Sequence, residues 1–290
     1  MSGLAGLPFL KMNGIGNEII VLDLRGRALA VSPAEARAIA AGKGLAYDQL
    51  MVLSEPRTAG TDAYMTIFNN DGSLSGACGN GTRCVAWALM RDGARERVML
   101  ETKAGLLDCR RAGEWRFEVD MGAPRLGWRE IPLAREIDDT SAIEIAEAGE
   151  LGAFCAVNMG NPHAIFFVRD AMALDLRKIG PALEHDSIFP ERANISFAQI
   201  LAASEERSRI LLRVWERGAG ITRACGSAAC ATLVAAVRTG RTGRAADVIL
   251  PGGMLSIEWR ESDSHVLMTG DVELEFDGRF DAALFKDIAA

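Results

Sequence analysis

"GACGNGTRC" (Gly76–Cys84) sets a cysteine directly before a glycine-rich turn, and "RACGSAACA" (Arg223–Ala231) repeats the pattern about half a chain later. Superposing Cys78 on Cys225 brings other pieces into register. "FNNDGSLSGACG" (Phe68–Gly79) then lies on "WERGAGITRACG" (Trp215–Gly226) without a gap. Upstream, "GIGNEIIVLD" (Gly14–Asp23) matches "NMGNPHAIFFV" (Asn158–Val168), a Gly-Asn step leading into an apolar run. "YDQLMVL" (Tyr47–Leu53) matches "ANISFAQI" (Ala193–Ile200), which sets Gln49 opposite Asn194. From Asn17 to Asn161 is 144 positions, from Gln49 to Asn194 145, and from Cys78 to Cys225 147. Landmarks in one order at nearly one long offset mark a duplicated domain, not a solenoid.

Each half reads the same way. A Gly-Asn strand leads to a polar helix, at Ser32–Gly42 and at Asp175–His185. Further strands, the cysteine turn and a strongly apolar helix come next, the last at Arg83–Gly93 and Ala229–Gly240, each stopping at glycine. A helix apolar nearly all round has to be buried, so each is expected inside its own sheet. The fold expected is α+β: two pseudo-symmetric domains from an internal duplication, each a sheet wrapped around a central apolar helix, with an active-site cleft between them. The halves are drawn at residues 1–122, joined by the C-terminal segment 270–290, and 123–269, with the hinge in "MGAPRLGWREIPL" (Met121–Leu133).

Composition narrows the function classes. The 290 residues carry 39 acids and 32 bases, a net charge of -7, with no basic run, so no nucleic-acid partner is expected. No apolar stretch nears the roughly 18 residues of a membrane span, and the start lacks the charge-then-apolar pattern of a signal peptide. Six cysteines without an export signal suggest reduced thiols in a cytoplasmic protein. The spacings Cys78-x5-Cys84 and Cys225-x4-Cys230 are not those of structural zinc sites, and the three histidines lie far apart, so no metal is expected. Cys109 and Cys155, in strand-like runs, and Cys84 and Cys230, inside helices, read as small buried hydrophobes.

Cys78 and Cys225 differ because of the residues after them. A thiol at a helix N-terminus sits at the positive end of the macrodipole, which can lower its pKa from about 8.5 to below about 7.5. The small residues beyond it (Gly79, Asn80, Gly81; Gly226, Ser227) leave backbone N–H groups bare for an anion. Two such sites related by duplication suit inversion of a stereocentre. A thiolate takes the α-proton from one face, and a thiol returns one to the other. The carbanion is the obstacle, and helix dipoles with bare N–H groups at the carboxylate stabilise it.

Taken together, "CGNG", "MGNPH", "FPERANI", "ERGAG" and "ACGSAAC" resemble the diaminopimelate epimerases, from "KMNGIGNE" at Lys11 to "MTGDVELEFDG" ending at Gly278. The resemblance implies a homodimeric, pyridoxal-independent isomerase of lysine and peptidoglycan precursor synthesis. It would interconvert LL- and meso-2,6-diaminopimelate without cofactor or metal. By position it implies Cys78 and Cys225 as the acid/base pair. Gly79–Asn80 and Gly226–Ser227 would hold the reacting carboxylate, while Asn69 and Glu216 would address the reacting amino group. Asn17, Gln49, Asn161, Asn194 and Arg217 would read the rest of the substrate, including its distal L-amino-acid end. His163 matches a histidine used near the family's site; the competing reading is a partly buried histidine bonded to backbone. Phe276 stands where a tyrosine is common at the dimer contact.

The chain departs from the commoner pattern at Asn13, Glu18, Ile221, Arg223 and Ala228, and Arg223 adds positive charge two residues before Cys225. Two rivals remain. Proline or hydroxyproline racemases share the architecture, but their usual turn has histidine after Cys-Gly where this chain has Asn80. A non-catalytic thiol redox or metal-binding protein would call for a close Cys-x-x-C pair, which is absent.

Overall fold

The computed structural model describes residues 2–76, 78–286 and 288. The chain forms two compact units, Met1–Val119 with Gly270–Ala290, and Asp120–Thr269.

In the first unit, β1 (Pro8–Asn13) and β2 (Glu18–Asp23) form an antiparallel pair around the Gly-Asn step, where Gly16 has φ +87°. α1 (Pro33–Ala41) then carries the chain across to β3 (Gln49–Ser54), which runs parallel to β2. The helix starts at Ser32 because of a capping box. The Ser32 hydroxyl accepts the Glu35 N–H, and the Glu35 carboxylate accepts the Ser32 N–H. β4 (Ala63–Asn69) returns antiparallel to β3, short β5 (Leu74–Ser75) turns back on it, and α2 (Gly79–Met90) comes next. β6 (Arg97–Thr102) lies parallel to β4, with β7 (Gly105–Arg111) and β8 (Arg116–Asp120) added antiparallel.

The second unit repeats this pairing order. β9 (Cys155–Asn158) and β10 (Pro162–Phe167) are antiparallel around Gly160, whose φ is +94°. α3 (Leu176–Glu184) crosses to β11 (Asn194–Ala202), parallel to β10. β12 (Ser208–Glu216), β13 (Gly220–Ile221) and α4 (Gly226–Arg238) come next. β14 (Ala245–Leu250) is parallel to β12, and β15 (Gly253–Trp259) is antiparallel to β14. After β16 (Val266–Asp271), β17 (Glu273–Arg279) rejoins the first unit as an antiparallel partner of β1. The duplication is visible rung by rung. Ile19 faces Gln49 across β2 and β3, and His163 faces Asn194 across β10 and β11.

Each apolar helix is enclosed by its own sheet. α2 packs on β2, β3, β6 and β7, and α4 on β9, β10, β11, β14 and β15, so each helix touches early and late strands of one curved sheet. Cys84, Val85, Ala86, Trp87 and Met90 of α2 are buried, as is α4 from Ala228 to Ala236. A second core lies on the other face of each sheet. In the first unit it joins Phe9, Ile20, Leu50 and Phe68 to Ile39 of α1. Phe280 stacks on Phe9 at 4.6 Å, which anchors the returning C-terminal segment. In the second unit Phe154, Phe166, Phe189 and Phe197 pack with Leu176 and Leu183 of α3. Fully burying each such side chain stabilises by roughly 1.5–3 kcal/mol. Among the described residues no helix is long and apolar enough to cross a membrane.

Candidate active site

In the first unit, Cys78 is the N-cap of α2, with extended backbone (φ −150°, ψ 98°). The Gly81 N–H donates to its sulfur at 3.3 Å. The thiol itself reaches Gln49 Oε1 at 3.4 Å and Asn17 Oδ1 at 3.7 Å. Asn17 is held in the β1–β2 turn by donating to Asp48 Oδ2 at 2.8 Å, and the same oxygen takes the Glu18 N–H. Gln49, at the start of β3, pairs across the strands with Asn69, the last residue of β4. Asn69 donates to the Ser73 hydroxyl at 3.0 Å. Gly79 opens the helix, and Asn80 behind it is 3% exposed, its Oδ1 accepting from the fully buried Arg83 at 3.1 Å. The backbone of the β1–β2 turn comes so close that a Cβ on Gly14 would stand 3.1 Å from the Asn80 carbonyl oxygen. Cys78, Asn17, Gln49, Gly79 and Asn80 are therefore neighbours, with Asn69 beside them.

In the second unit, Cys225 is the N-cap of α4 and is 6% exposed. Its sulfur lies 3.6 Å from the Ser227 hydroxyl, and that oxygen lies 3.1 Å from His163 Nε2. The same nitrogen is 2.8 Å from Asn161 Oδ1. An amide oxygen only accepts, so Nε2 carries the proton and Nδ1, which has no hydrogen-bond partner among the described residues, does not. The Ser227 hydrogen is then left to face the sulfur. His163 is fully buried, and its pKa falls from 6.5 to about 3, first through burial and then through the Arg217 charge. It is neutral at all ordinary pH, and its partners are side chains rather than backbone.

Asn194 faces His163 across the parallel strands. Its amide donates to the Pro162 carbonyl at 3.0 Å, while its Oδ1 accepts the Arg217 N–H at 3.0 Å. The Arg217 guanidinium donates to the Glu191 carbonyl at 3.1 Å. Glu216 takes a hydrogen bond from the Thr222 hydroxyl and stands beside Cys225. Gly226, the first residue of α4, is buried with Cys225.

The electrostatics of Cys225 depart from the expectation of a thiol lowered by its helix. Burial first, and the neighbouring Glu216 carboxylate second, push its pKa well above the ordinary value. The Ser227 hydroxyl and the Ala228 N–H pull the other way and do not win. Desolvation of a fully enclosed thiolate exceeds what a helix end returns. Arg223, exposed, is not among the groups that move Cys225. Asp48, Arg83 and Thr222 buttress the two sites and were not singled out by sequence reasoning, although all three sit inside the stretches that were. Phe276, on β17, is 42% exposed and meets Phe9 edge-on at 6.0 Å.

The diaminopimelate epimerase family model matches residues 9–127 and 155–275, one stretch in each half. The chain belongs to the diaminopimelate epimerase family. Membership makes it an isomerase. It is 60% identical to the diaminopimelate epimerase of Methylocella silvestris over the whole of both chains, and 57% identical to that of Rhodopseudomonas palustris strain HaA2, covering 98% and 97% of the two. Among solved structures, a hydroxyproline epimerase from Agrobacterium vitis superposes with a TM-score of 0.65, covering 97% of this chain and 94% of that one at 16% identity. A putative PhzC/PhzF protein from Clostridium difficile gives 0.66 at 13% identity, covering 95% and 99%. These likenesses establish a shared fold and say nothing about substrate. At the level of sequence, the racemase and redox readings give way to the epimerase family.

Proposed function

We propose that the chain interconverts LL- and meso-2,6-diaminopimelate by inverting one α-carbon, with the thiols of Cys78 and Cys225 as the two proton carriers and no cofactor. The observation that carries this reading is the matched placement of the two cysteines. Each caps a buried helix in its own repeat; Cys78 meets the amide oxygens of Asn17 and Gln49, and Cys225 meets the Ser227 hydroxyl, behind which stand His163 and Asn161, the counterpart of Asn17. The bare N–H groups of Gly79–Asn80 and Gly226–Ser227 suit the reacting carboxylate, where negative charge grows as the α-proton leaves.

Glu216 gives the second thiol its condition. Burial, and the carboxylate beside it, keep the proton on Cys225. An α-ammonium bound at Glu216, with Asn69 as its counterpart, neutralises that charge and frees the thiol to exchange. Cys78, whose thiol reaches the amide oxygens of Gln49 and Asn17, takes the opposite role. Neutral His163 holds Ser227 and Asn161 without adding charge. Asn17, Gln49, Asn161, Asn194 and Arg217 read the rest of the substrate. Arg217 takes the distal carboxylate, because a fixed guanidinium suits a planar anion.

The product serves lysine and peptidoglycan precursor synthesis, and the setting proposed is the cytoplasm. The working form proposed is a homodimer whose contact includes exposed Phe276. The test is incubation of LL-diaminopimelate with the protein in D2O. Deuterium should appear at one α-carbon together with the meso isomer, and Cys78→Ala and Cys225→Ala should each abolish epimerisation while remaining folded. Full activity of either variant, or equal turnover of L-proline, would refute the proposal.

A further inference from the structure

The second unit buries a carboxylate for which the proton transfer has no use. Glu184, the last residue of α3, is 3% exposed. Its Oε2 accepts the indole N–H of Trp215 at 2.7 Å, and its Oε1 accepts the Gly218 N–H at 2.9 Å and the Arg192 guanidinium at 3.4 Å. Helix stability does not account for this placement. A negative charge at a helix C-terminus opposes the macrodipole, and burying it is costly unless donors surround it. The donors come from the end of β12, from the turn after it and from the loop before β11.

Trp215 and Gly218 bracket Glu216 and Arg217. The indole is fixed twice, by its N–H on Glu184 and by its ring on the backbone of α3. One helical turn before Glu184, a Cβ on Gly180 would stand 2.4 Å from that ring. Gly218 adopts φ +76°, a conformation that favours glycine, and its N–H is thereby turned onto the carboxylate. Between these points, the Arg217 N–H is on Asn194 and its guanidinium on the Glu191 carbonyl, next to Arg192. Glu184 thus ties the two segments that grip Arg217 to each other. In the first unit the corresponding turn is held by exposed groups, with Arg37 of α1 donating to the Asp71 carbonyl at 3.3 Å and Asn69 to Ser73. The buried clamp accompanies the half that carries the arginine.

We infer that Glu184 is a positioning residue for substrate specificity: it sets the Arg217 guanidinium to receive the carboxylate at the end of the substrate that is not inverted. The inference rests on the role proposed above for Arg217. It is tested by measuring kcat and KM for LL-diaminopimelate with the wild type, Glu184→Gln, Glu184→Asp, Arg217→Met and the Glu184→Gln/Arg217→Met double variant. Glutamine leaves either the Trp215 indole or the Gly218 N–H facing an NH2 group, so KM should rise about tenfold, with kcat within about threefold of wild type. Aspartate keeps the charge but withdraws it by one methylene, and should fall in between. The double variant should be no worse than Arg217→Met alone to within about twofold, since both act through one contact. A Glu184→Gln enzyme with wild-type KM, one that loses kcat instead, or one whose full penalty adds to that of Arg217→Met overturns the inference. Should Glu184→Gln fail to fold by its melting curve, a wild-type KM in Glu184→Asp does so. A wild type inert towards LL-diaminopimelate sinks the functional proposal and this one with it, whereas an active wild type with an unaltered Glu184→Gln sinks this one alone.

Discussion

Lowering the pH from 8 to 5 should weaken the fold through one residue, His163. Its ring is wholly enclosed, Nε2 gives its proton to Asn161, and burial together with the Arg217 charge puts its pKa at about 3 against an ordinary 6.5. The folded state therefore holds His163 neutral throughout this range, while the unfolded chain takes up a proton below about pH 6.5. A depressed folded pKa of this kind leaves stability intact above pH 6.5. Stability then falls by about 1.4 kcal/mol per pH unit as the pH drops towards about 3, where the loss levels off. Between pH 8 and pH 5 the histidine's share is about 2 kcal/mol. Urea denaturation of the wild type and of His163→Gln at pH 8, 6.5 and 5 measures it, because the carboxylates titrate in both proteins and cancel in the comparison. The wild type should lose about 2 kcal/mol more than the variant by pH 5, whatever the variant's stability at pH 8. Parallel pH dependences, or a titration of the His163 ring itself centred near pH 6.5 in the folded protein, would refute the reasoning.

The thiols should separate by reactivity. Burial pushes Cys84 to about 12 and Cys155 to about 11, and raises Cys225. Half-buried Cys78 should therefore take up iodoacetamide first at pH 8, at least about tenfold faster than the other three by peptide mass spectrometry; faster labelling of Cys225 would contradict the role given to Glu216. Gly180→Ala places a methyl group inside van der Waals distance of the Trp215 ring, which should cost about 1–3 kcal/mol and lower the melting temperature. An unchanged melting temperature would mean that α3 and the indole part freely.

What the sequence makes legible here is what adjacent residues decide. Gly16 and Gly160 bend the chain where a Gly-Asn step is written, Ser32 and Asp175 start helices by local hydrogen bonds, and the two cysteines cap theirs. Once these anchors repeat at one offset, the duplicated pairing is settled, because an apolar helix between two strands has few ways to be covered. Electrostatics is set at longer range. The helix end that promised an acidic thiol at Cys225 lies within three residues of it, but what outweighs it is the burial of the thiol and the charge of Glu216 at the end of β12. Glu184 is the sharper case. In "DLRKIGPALEH" it reads as one more charge on a polar helix, and its local environment, a helix C-terminus, argues against a carboxylate there at all. Only its three donors, from Arg192, Trp215 and Gly218, give it a reason to be buried, and each lies between 8 and 34 residues away. A charge that is locally unfavourable yet fully paired is kept by its distant partners. In this chain those partners carry Arg217, so the place where local rules fail marks the part of the site concerned with choosing a substrate.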